Sequence, residues 1–162
     1  FKNHINTNLK DLSSFVVFNG NNGSGKTNIL EAISLFSPGR GIKNSRFVEM
    51  PNKDRDQKNF EIKINVKYDT GEVELFRSFS SVEKNKNYIS VDNEKITNFQ
   101  LLEFINILWI TPIMEKVLIQ SNSEKRNFFD RLIFNINKSH LKNYAKLQKL
   151  LSERLALLKE IN

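Results

Sequence analysis

The eight residues GNNGSGKT, at positions 20–27, constrain the fold more than any other part of the chain. They match the pattern G-x-x-x-x-G-K-[ST], which is typical of a loop that wraps phosphate groups. The preceding run SSFVVFNG (13–20) is apolar and predicts a buried strand. The following run TNILEAISLF (27–36) has the apolar spacing of a helix, which Pro38 would end. This order predicts a nucleotide-binding α/β fold.

The residue types in this loop each have a chemical role in binding phosphate. Glycine tolerates positive φ and lets backbone N–H groups approach a phosphate without a Cβ between them. The first turn of the following helix directs its N–H groups and its positive dipole end at the same anion. The Lys26 ammonium would contact the β- and γ-phosphates, and the Thr27 hydroxyl would ligate Mg²⁺. The predicted nucleotide-binding residues are Gly20, Asn21, Asn22, Gly23, Ser24, Gly25, Lys26, Thr27 and Asn28.

The remainder of the chain predicts a small antiparallel sheet followed by helices. Alternating apolar residues and a tight turn predict a hairpin, and a further strand follows it. The predicted elements are strands 60–68, 72–79, 87–92 and 107–112, a helix over 97–106 capped by Thr97, and helices over 121–134 and 139–160. Residues 39–59 are polar and predict a long irregular loop.

The net charge of +7 is concentrated at the end of the chain. Residues 1–115 contain 15 Lys/Arg against 14 Asp/Glu, whereas residues 116–162 contain 10 against 4. This excess of positive charge indicates a surface that binds a phosphate backbone or another acidic partner. The alternative is a solvated helix face without a binding role. The absence of cysteine excludes a disulfide scaffold and thiol catalysis. No apolar run is long enough for a membrane span, so we expect a cytoplasmic protein without membrane contact.

Three longer stretches resemble the RecF family of bacterial recombination-mediator ATPases, within the superfamily of SMC and ABC-type heads. They are FNGNNGSGKTNILEAISLFSPGRGIK, LWITP and SEKRNFFDRLIF. The resemblance implies an α/β P-loop NTPase of the ABC/SMC-head type, with a mixed β lobe followed by an incomplete helical lobe. Residues 1–111 would form the ATP-binding β lobe, and residues 112–162 would begin the helical lobe.

The resemblance also implies a function. It implies binding of ATP and Mg²⁺, ATP-dependent homodimerisation of the full-length protein, and recognition of gapped DNA and of single-strand–double-strand junctions. It further implies cooperation with mediator proteins that load recombinase during recombinational repair and replication restart. Two alternatives stay open. One is another SMC-like head, for chromosome structuring or associated with a nuclease, and the other is a truncated remnant without ATPase activity.

This chain departs from the family pattern in ways that affect catalysis. The family carries a signature motif and a Walker B Asp-Glu pair further along, and neither motif occurs in these 162 residues. Ile113 stands where the family usually has a Glu or Gln that senses the γ-phosphate, so no residue is assigned that role. Because the acid that orients the attacking water is missing, we expect at most weak nucleotide binding and no appreciable turnover from these residues alone.

Two groups of basic residues are candidates for DNA contact. Arg40, Lys43 and Arg46 follow the first predicted helix, and Lys125 and Arg126 begin a later one. Solvated loop charge is the alternative for the first group. For Arg126 the alternative is an i,i+4 salt bridge to Asp130. A further series on the last helix would either follow a phosphate backbone or form a solvated face: Lys138, Lys142, Lys146 and Lys149.

Overall fold

The computed structural model of the protein describes residues 1–52, 57–112, 114, 119 and 121–161. The γ-phosphate sensor position, Ile113, lies outside the described residues. The chain divides into two compact units, Phe1–Leu101 and Leu102–Asn162. The lobe boundary at residue 111 stays a prediction. Within the described part of the chain, no helix is long and apolar enough to cross a bilayer.

The first unit contains the phosphate loop, two helices, a 3₁₀ turn and a four-stranded antiparallel sheet. The elements are α1 (Lys26–Ser34), the 3₁₀ turn (Phe47–Glu49), β1 (Asn59–Tyr68), β2 (Gly71–Ser80), β3 (Lys86–Val91), β4 (Glu94–Lys95) and α2 (Asn98–Leu101). The strands pair in sequence order, β1-β2-β3-β4. The predicted hairpin and third strand are confirmed, whereas β4 was not predicted. Asp92 and Asn93, both at positive φ, form the tight turn that allows β4 to pair with β3.

One face of this sheet forms the core of the first unit. Phe60 and Phe79 lie opposite each other on β1 and β2, and their rings stack at a centroid distance of 5.9 Å. Phe47 of the 3₁₀ turn stacks on Phe79 at 5.9 Å. Leu35 and Met50, both fully buried, complete the cluster. The described residues of the predicted loop over 39–59 are irregular apart from the 3₁₀ turn and the first residue of β1, and they contribute apolar side chains to the core.

Two of the predicted buried strands are wrong. Residues 13–20 and 107–112 form no strand, and several of their apolar side chains face solvent, with Phe15 79% exposed and Ile110 82% exposed. A strand requires a neighbouring backbone for its hydrogen bonds, and no described residue pairs with either run. The apolar composition was correctly identified, but composition does not supply the partner strand.

The second unit contains the helices α3 (Asn122–Ile136) and α4 (Lys138–Ile161), which confirm the two helices predicted there. A capping box begins α3, since the Ser121 hydroxyl accepts from the Glu124 N–H and the Glu124 carboxylate accepts from the Ser121 N–H. Trp109, which precedes the helices, lies under the Arg131 guanidinium at 4.4 Å from the ring centroid. This contact is a cation–π interaction, and burial lowers the pKa of Arg131.

Candidate phosphate-binding site

The phosphate loop has the backbone conformation that its glycines predicted. Gly20, Gly23 and Gly25 have φ values of 148°, 83° and 95°, where a side chain would be strained. Gly25 is the N-cap of α1 and offers no side-chain cap, so the first-turn N–H groups of the helix have no side-chain acceptor from the cap residue. The loop thus presents backbone donors at a helix N-terminus, which is the arrangement that binds anions.

Lys26 brings a positive charge into the same loop. Its ammonium donates to the carbonyl oxygens of Gly20 and Asn21, each at 2.7 Å, and lies 3.5 Å from the Ser24 hydroxyl. Thr27 is exposed in the first turn of α1. The structure therefore brings together all of the predicted loop residues from Gly20 to Asn28, with Asn21, Asn22 and Ser24 on the exposed side of the loop.

The N-terminal segment packs against this loop. His4 Nε2 lies 3.1 Å from the Gly25 carbonyl oxygen, and the Asn3 amide donates to the Gly23 carbonyl oxygen at 3.2 Å. Phe1 packs edge-on against Phe60, with their ring centroids 5.2 Å apart. A Cβ on Gly25 would collide with the His4 ring. No local spacing could reveal this contact, because His4 and Gly25 are 21 residues apart.

The helix α1 buries a polar face. Glu31 is fully buried, whereas Leu30 is 45% exposed. The Glu31 carboxylate is paired with the ammonium groups of Lys2 at 3.5 Å and Lys43 at 3.3 Å. Neither carboxylate oxygen has a partner with hydrogen-bond geometry, so the pairing is electrostatic. A charged residue inside an otherwise apolar helical run was the one sequence signal for this site.

The loop that follows α1 places the first basic group near the helix. Ser34 accepts a hydrogen bond from the Ile42 N–H at 2.9 Å, which holds the loop against α1. Lys43 also donates to the Asn28 side-chain oxygen at 3.3 Å. Arg40 and Arg46 are exposed on the same loop. Of the three predicted DNA contacts in this loop, Lys43 is thus the one engaged by α1.

The second basic group lies in the second unit. Arg126 is exposed and lines a cleft of about 430 Å³ with Asn122, Ser123, Tyr144 and Gln148, while Lys125 is half-buried. Among the described residues, no carboxylate lies within ion-pair distance of Arg126. Asp130 instead contacts His140 Nε2 at 2.8 Å, so the predicted i,i+4 pair with Arg126 is wrong. The contact involves only Asp130 Oδ1, and Oδ2 is buried without a hydrogen-bond partner among the described residues.

The last helix carries the remaining basic series. Lys142, Lys146 and Lys149 are exposed along α4, and Lys149 lies 3.7 Å from Glu153. The side chain of Lys138 lies outside the described part of the chain. A phosphate-tracking role for this series stays a prediction.

The arrangement fits the polyphosphate of a nucleotide. Backbone donors are supplied by the glycine positions at positive φ and by the start of α1, which has no side-chain cap. The Lys26 ammonium supplies one positive charge. Thr27 supplies a hydroxyl in the position at which such loops ligate Mg²⁺. The bound nucleotide would contribute the metal's phosphate ligands. The fold and this loop define the class of the protein as a P-loop NTPase head.

Comparison with known proteins gives the family. The family model described as an AAA domain matches residues 1–162, and the chain belongs to that family. Curated proteins named DNA replication and repair protein RecF, from Rickettsia bellii and Rickettsia prowazekii, are each 34% identical over 160 residues. These matches cover 99% of this chain and 44% of the relatives. The chain therefore spans less than half the length of the curated relatives that it matches.

Solved structures confirm the fold class. A structure of the recombination mediator protein RecF with ATP has a TM-score of 0.72 and 28% identity, covering 86% of this chain and 37% of that one. A structure from a study of SMC ATPases has a TM-score of 0.52 and 22% identity, covering 75% of this chain and 86% of that one, and it supports the fold alone. The predicted resemblance to RecF is confirmed.

Proposed function

We propose that this chain is the ATP-binding part of a RecF-like ATPase that acts in DNA replication and repair. The phosphate loop is the observation that carries the proposal, because Gly20–Lys26 combines positive-φ glycines, a helix N-terminus and an ammonium. The similarity to RecF proteins over 99% of the chain supports it. The proposal includes Mg²⁺, with Thr27 as its protein ligand, and the division into a β lobe over 1–111 and a helical lobe from 112.

A titration of the chain with a fluorescent ATP analogue and Mg²⁺ tests this proposal. Saturable binding that Lys26→Ala removes is the expected result, since the ammonium is the loop's side-chain cation. Lys63→Ala is the matched control, because Lys63 lies on β1 and pairs with Glu74 at 3.2 Å. A folded chain that binds no analogue, or that binds equally after Lys26→Ala, would overturn the proposal.

We further propose that these residues alone hydrolyse no appreciable ATP. The relatives are more than twice as long as this chain, and the resemblance to the family implies that the Walker B and signature motifs lie in that remainder. A phosphate-release assay with saturating MgATP is the measurement. Turnover at the rate of a full-length relative would show that the chain holds a complete catalytic site.

The proposal extends to DNA. Gapped DNA and single-strand–double-strand junctions are the proposed ligands, with recombination mediator proteins as partners, and the full-length protein would form an ATP-dependent homodimer in the cytoplasm. Similarity to RecF supports these expectations. Arg40 and Arg46, exposed on the loop after α1, and Arg126, exposed on α3, are the proposed contacts, together with Lys43 and Lys125.

Fluorescence anisotropy with a gapped duplex tests the DNA surface. Replacing Arg40 and Arg46 together by alanine should weaken binding and reduce the slope of log affinity against log salt by about two, since each phosphate contact contributes nearly one unit. Arg126→Ala should reduce the same slope by about one. Lys63→Ala again serves as the control for lost charge. An unchanged slope in either variant would remove that group from the surface.

A further inference from the structure

The loop after α1 and the phosphate loop are joined by a continuous chain of side-chain hydrogen bonds. The Lys43 ammonium donates to Asn28 Oδ1 at 3.3 Å, and Asn28 Nδ2 donates to Asn3 Oδ1 at 2.7 Å. Asn3 Nδ2 then donates to the carbonyl oxygen of Gly23 at 3.2 Å. Three contacts thus connect residue 43 to the middle of the phosphate loop.

The chemistry of its two ends gives this chain a single direction. An ammonium only donates and a backbone carbonyl only accepts. Asn28 must therefore present its oxygen to Lys43 and its NH₂ group to Asn3. Asn3 must in turn present its oxygen to Asn28, which leaves its NH₂ group for Gly23. Neither amide can flip without breaking two hydrogen bonds, so each residue orients the next.

Glu31 anchors the start of the chain. Its fully buried carboxylate lies 3.3 Å from the Lys43 ammonium, which is directed towards α1 although the Lys43 side chain is 43% exposed. Gly41 brings the loop close enough for this contact, since a Cβ there would lie 2.6 Å from the Ser34 hydroxyl. Lys43 is thus held by a buried negative charge and a hydrogen bond, rather than extending freely into solvent.

The far end of the chain fixes a peptide plane of the phosphate loop. In a trans peptide the carbonyl and the following N–H point in opposite directions. The hydrogen bond from Asn3 holds the Gly23 carbonyl on the side of the N-terminal segment, which turns the Ser24 N–H inward, where it donates to the Asn21 carbonyl at 3.3 Å. The orientation of the peptide between Gly23 and Ser24 therefore depends on a series of side-chain hydrogen bonds that starts at Lys43.

We infer that Asn3, Asn28 and Lys43 are positioning residues for the phosphate loop, and that Lys43 acts through the two asparagines without touching the nucleotide. The expected change in nucleotide affinity rests on the proposed binding of ATP. The expected effect of these residues on the conformation of the loop does not, because the hydrogen bonds are present in the nucleotide-free chain. The inference assigns Lys43 an intramolecular role that the DNA-contact interpretation of the basic loop does not include.

The test combines two measurements on Lys43→Met, Asn3→Leu and the double variant. The first is hydrogen exchange of the amides of residues 19–28 in the nucleotide-free chain, which should become several-fold faster in each variant. The second is the affinity for the fluorescent ATP analogue with Mg²⁺, which should fall about fivefold in each single variant, the effect of one net hydrogen bond. Lys63→Met controls for lost charge, and Lys43→Arg, which keeps a donor, should retain most of the affinity.

The double variant separates positioning from a general loss of stability. Lys43 acts on the loop through Asn28 and Asn3, and Asn3 contacts Gly23 directly. Breaking the chain at both Lys43 and Asn3 should therefore again cost about fivefold in affinity, whereas independent effects would multiply to about 25-fold. A multiplied effect, or unchanged loop exchange in Lys43→Met, would overturn the inference. If the chain binds no analogue yet its loop exchanges faster in the variants, the inference holds and the proposed ATP binding fails.

Discussion

The apolar residues of the first unit have two contrasting environments. Phe79, on β2, is 3% exposed and stacks on two other rings, whereas Phe15, just before the phosphate loop, is 79% exposed. Both lie in runs whose composition predicts a strand. The difference is that β2 has neighbours directly before and after it in sequence, joined by tight turns, while no described strand pairs with the run around Phe15. Antiparallel hairpins carry their own partners, and an isolated apolar run does not.

The largest effect that this comparison predicts is at Phe79. Phe79→Ala should lower the free energy of unfolding by about 4 kcal/mol, since it removes a ring from a closely packed cluster and leaves a cavity. Denaturant unfolding followed by circular dichroism is the measurement. A loss below about 1 kcal/mol would mean that the cluster repacks, and that the two regions differ less than their exposure suggests.

The phosphate loop offers a second contrast, between two glycines at similar backbone angles. Gly25 and Gly39 have φ values of 95° and 105°, but a Cβ on Gly25 would meet His4 and Asn3, whereas one on Gly39 would meet no described atom within 4 Å. Gly25→Ala should cost about 2 kcal/mol of stability and remove binding of the ATP analogue, because strain and a collision add. Gly39→Ala is the matched control for the strain alone. Equal losses in the two variants would show that the N-terminal segment does not press on the loop.

Arg77 is a charged residue within the otherwise apolar, packed face of the sheet. It therefore tests whether burial there is favourable for a charged side chain as well. It is 1% exposed, and its Nη2 donates to Asn98 Oδ1 at 2.6 Å. Its other two nitrogens have no hydrogen-bond partner among the described residues, and the guanidinium lies 5.7 Å from the centroid of the Phe47 ring. Burial lowers the pKa of Arg77 to about 10. Arg77→Met should therefore stabilise the protein by about 1 kcal/mol at neutral pH, because it removes a poorly compensated buried charge.

The stability difference between the wild-type protein and Arg77→Met should depend on pH, and the sign of this dependence follows from the pKa of Arg77. Above about pH 10 the folded state releases the proton from Arg77, while the unfolded state, in which the guanidinium is hydrated and its pKa is not lowered by burial, keeps the proton to a higher pH. The unfolded state then binds more protons, so the wild-type protein gains stability relative to Arg77→Met as the pH rises through this window. The unfolding midpoints of both proteins, measured from pH 7 to pH 11, test this relative gain in stability. A difference that stays constant, or that grows with pH, would contradict the assigned cause.

The smallest effect is expected at Phe15. Phe15→Ser should change the free energy of unfolding by no more than about 0.5 kcal/mol, as for other exposed positions, in contrast to the loss of about 4 kcal/mol expected for Phe79→Ala. The loss at Phe15 and the loss at Phe79, measured under identical conditions, give the comparison directly. A large loss at Phe15 would show that the run 13–20 is buried in solution.

Sequence reasoning was reliable where the information is local. The glycine loop, α1, the β1–β2 hairpin and α3 depend on residues within a few positions of one another. Their spacing was therefore sufficient for prediction. The same reasoning failed for 13–20 and 107–112, because a buried strand also requires a partner that no local pattern specifies. It also missed the pairing of Asp130 with His140, since these residues lie on different helices.

The sequence by itself determined the chemistry of the site: a phosphate loop with its lysine, its threonine and the helix behind it. Only the tertiary structure decided how that loop is held. Glu31 is buried because Lys2 and Lys43 approach it from distant parts of the chain. His4 and Asn3 contact loop residues 20 or more positions away. Local spacing sets backbone conformation, whereas burial and charge pairing depend on contacts that form only when the chain has folded.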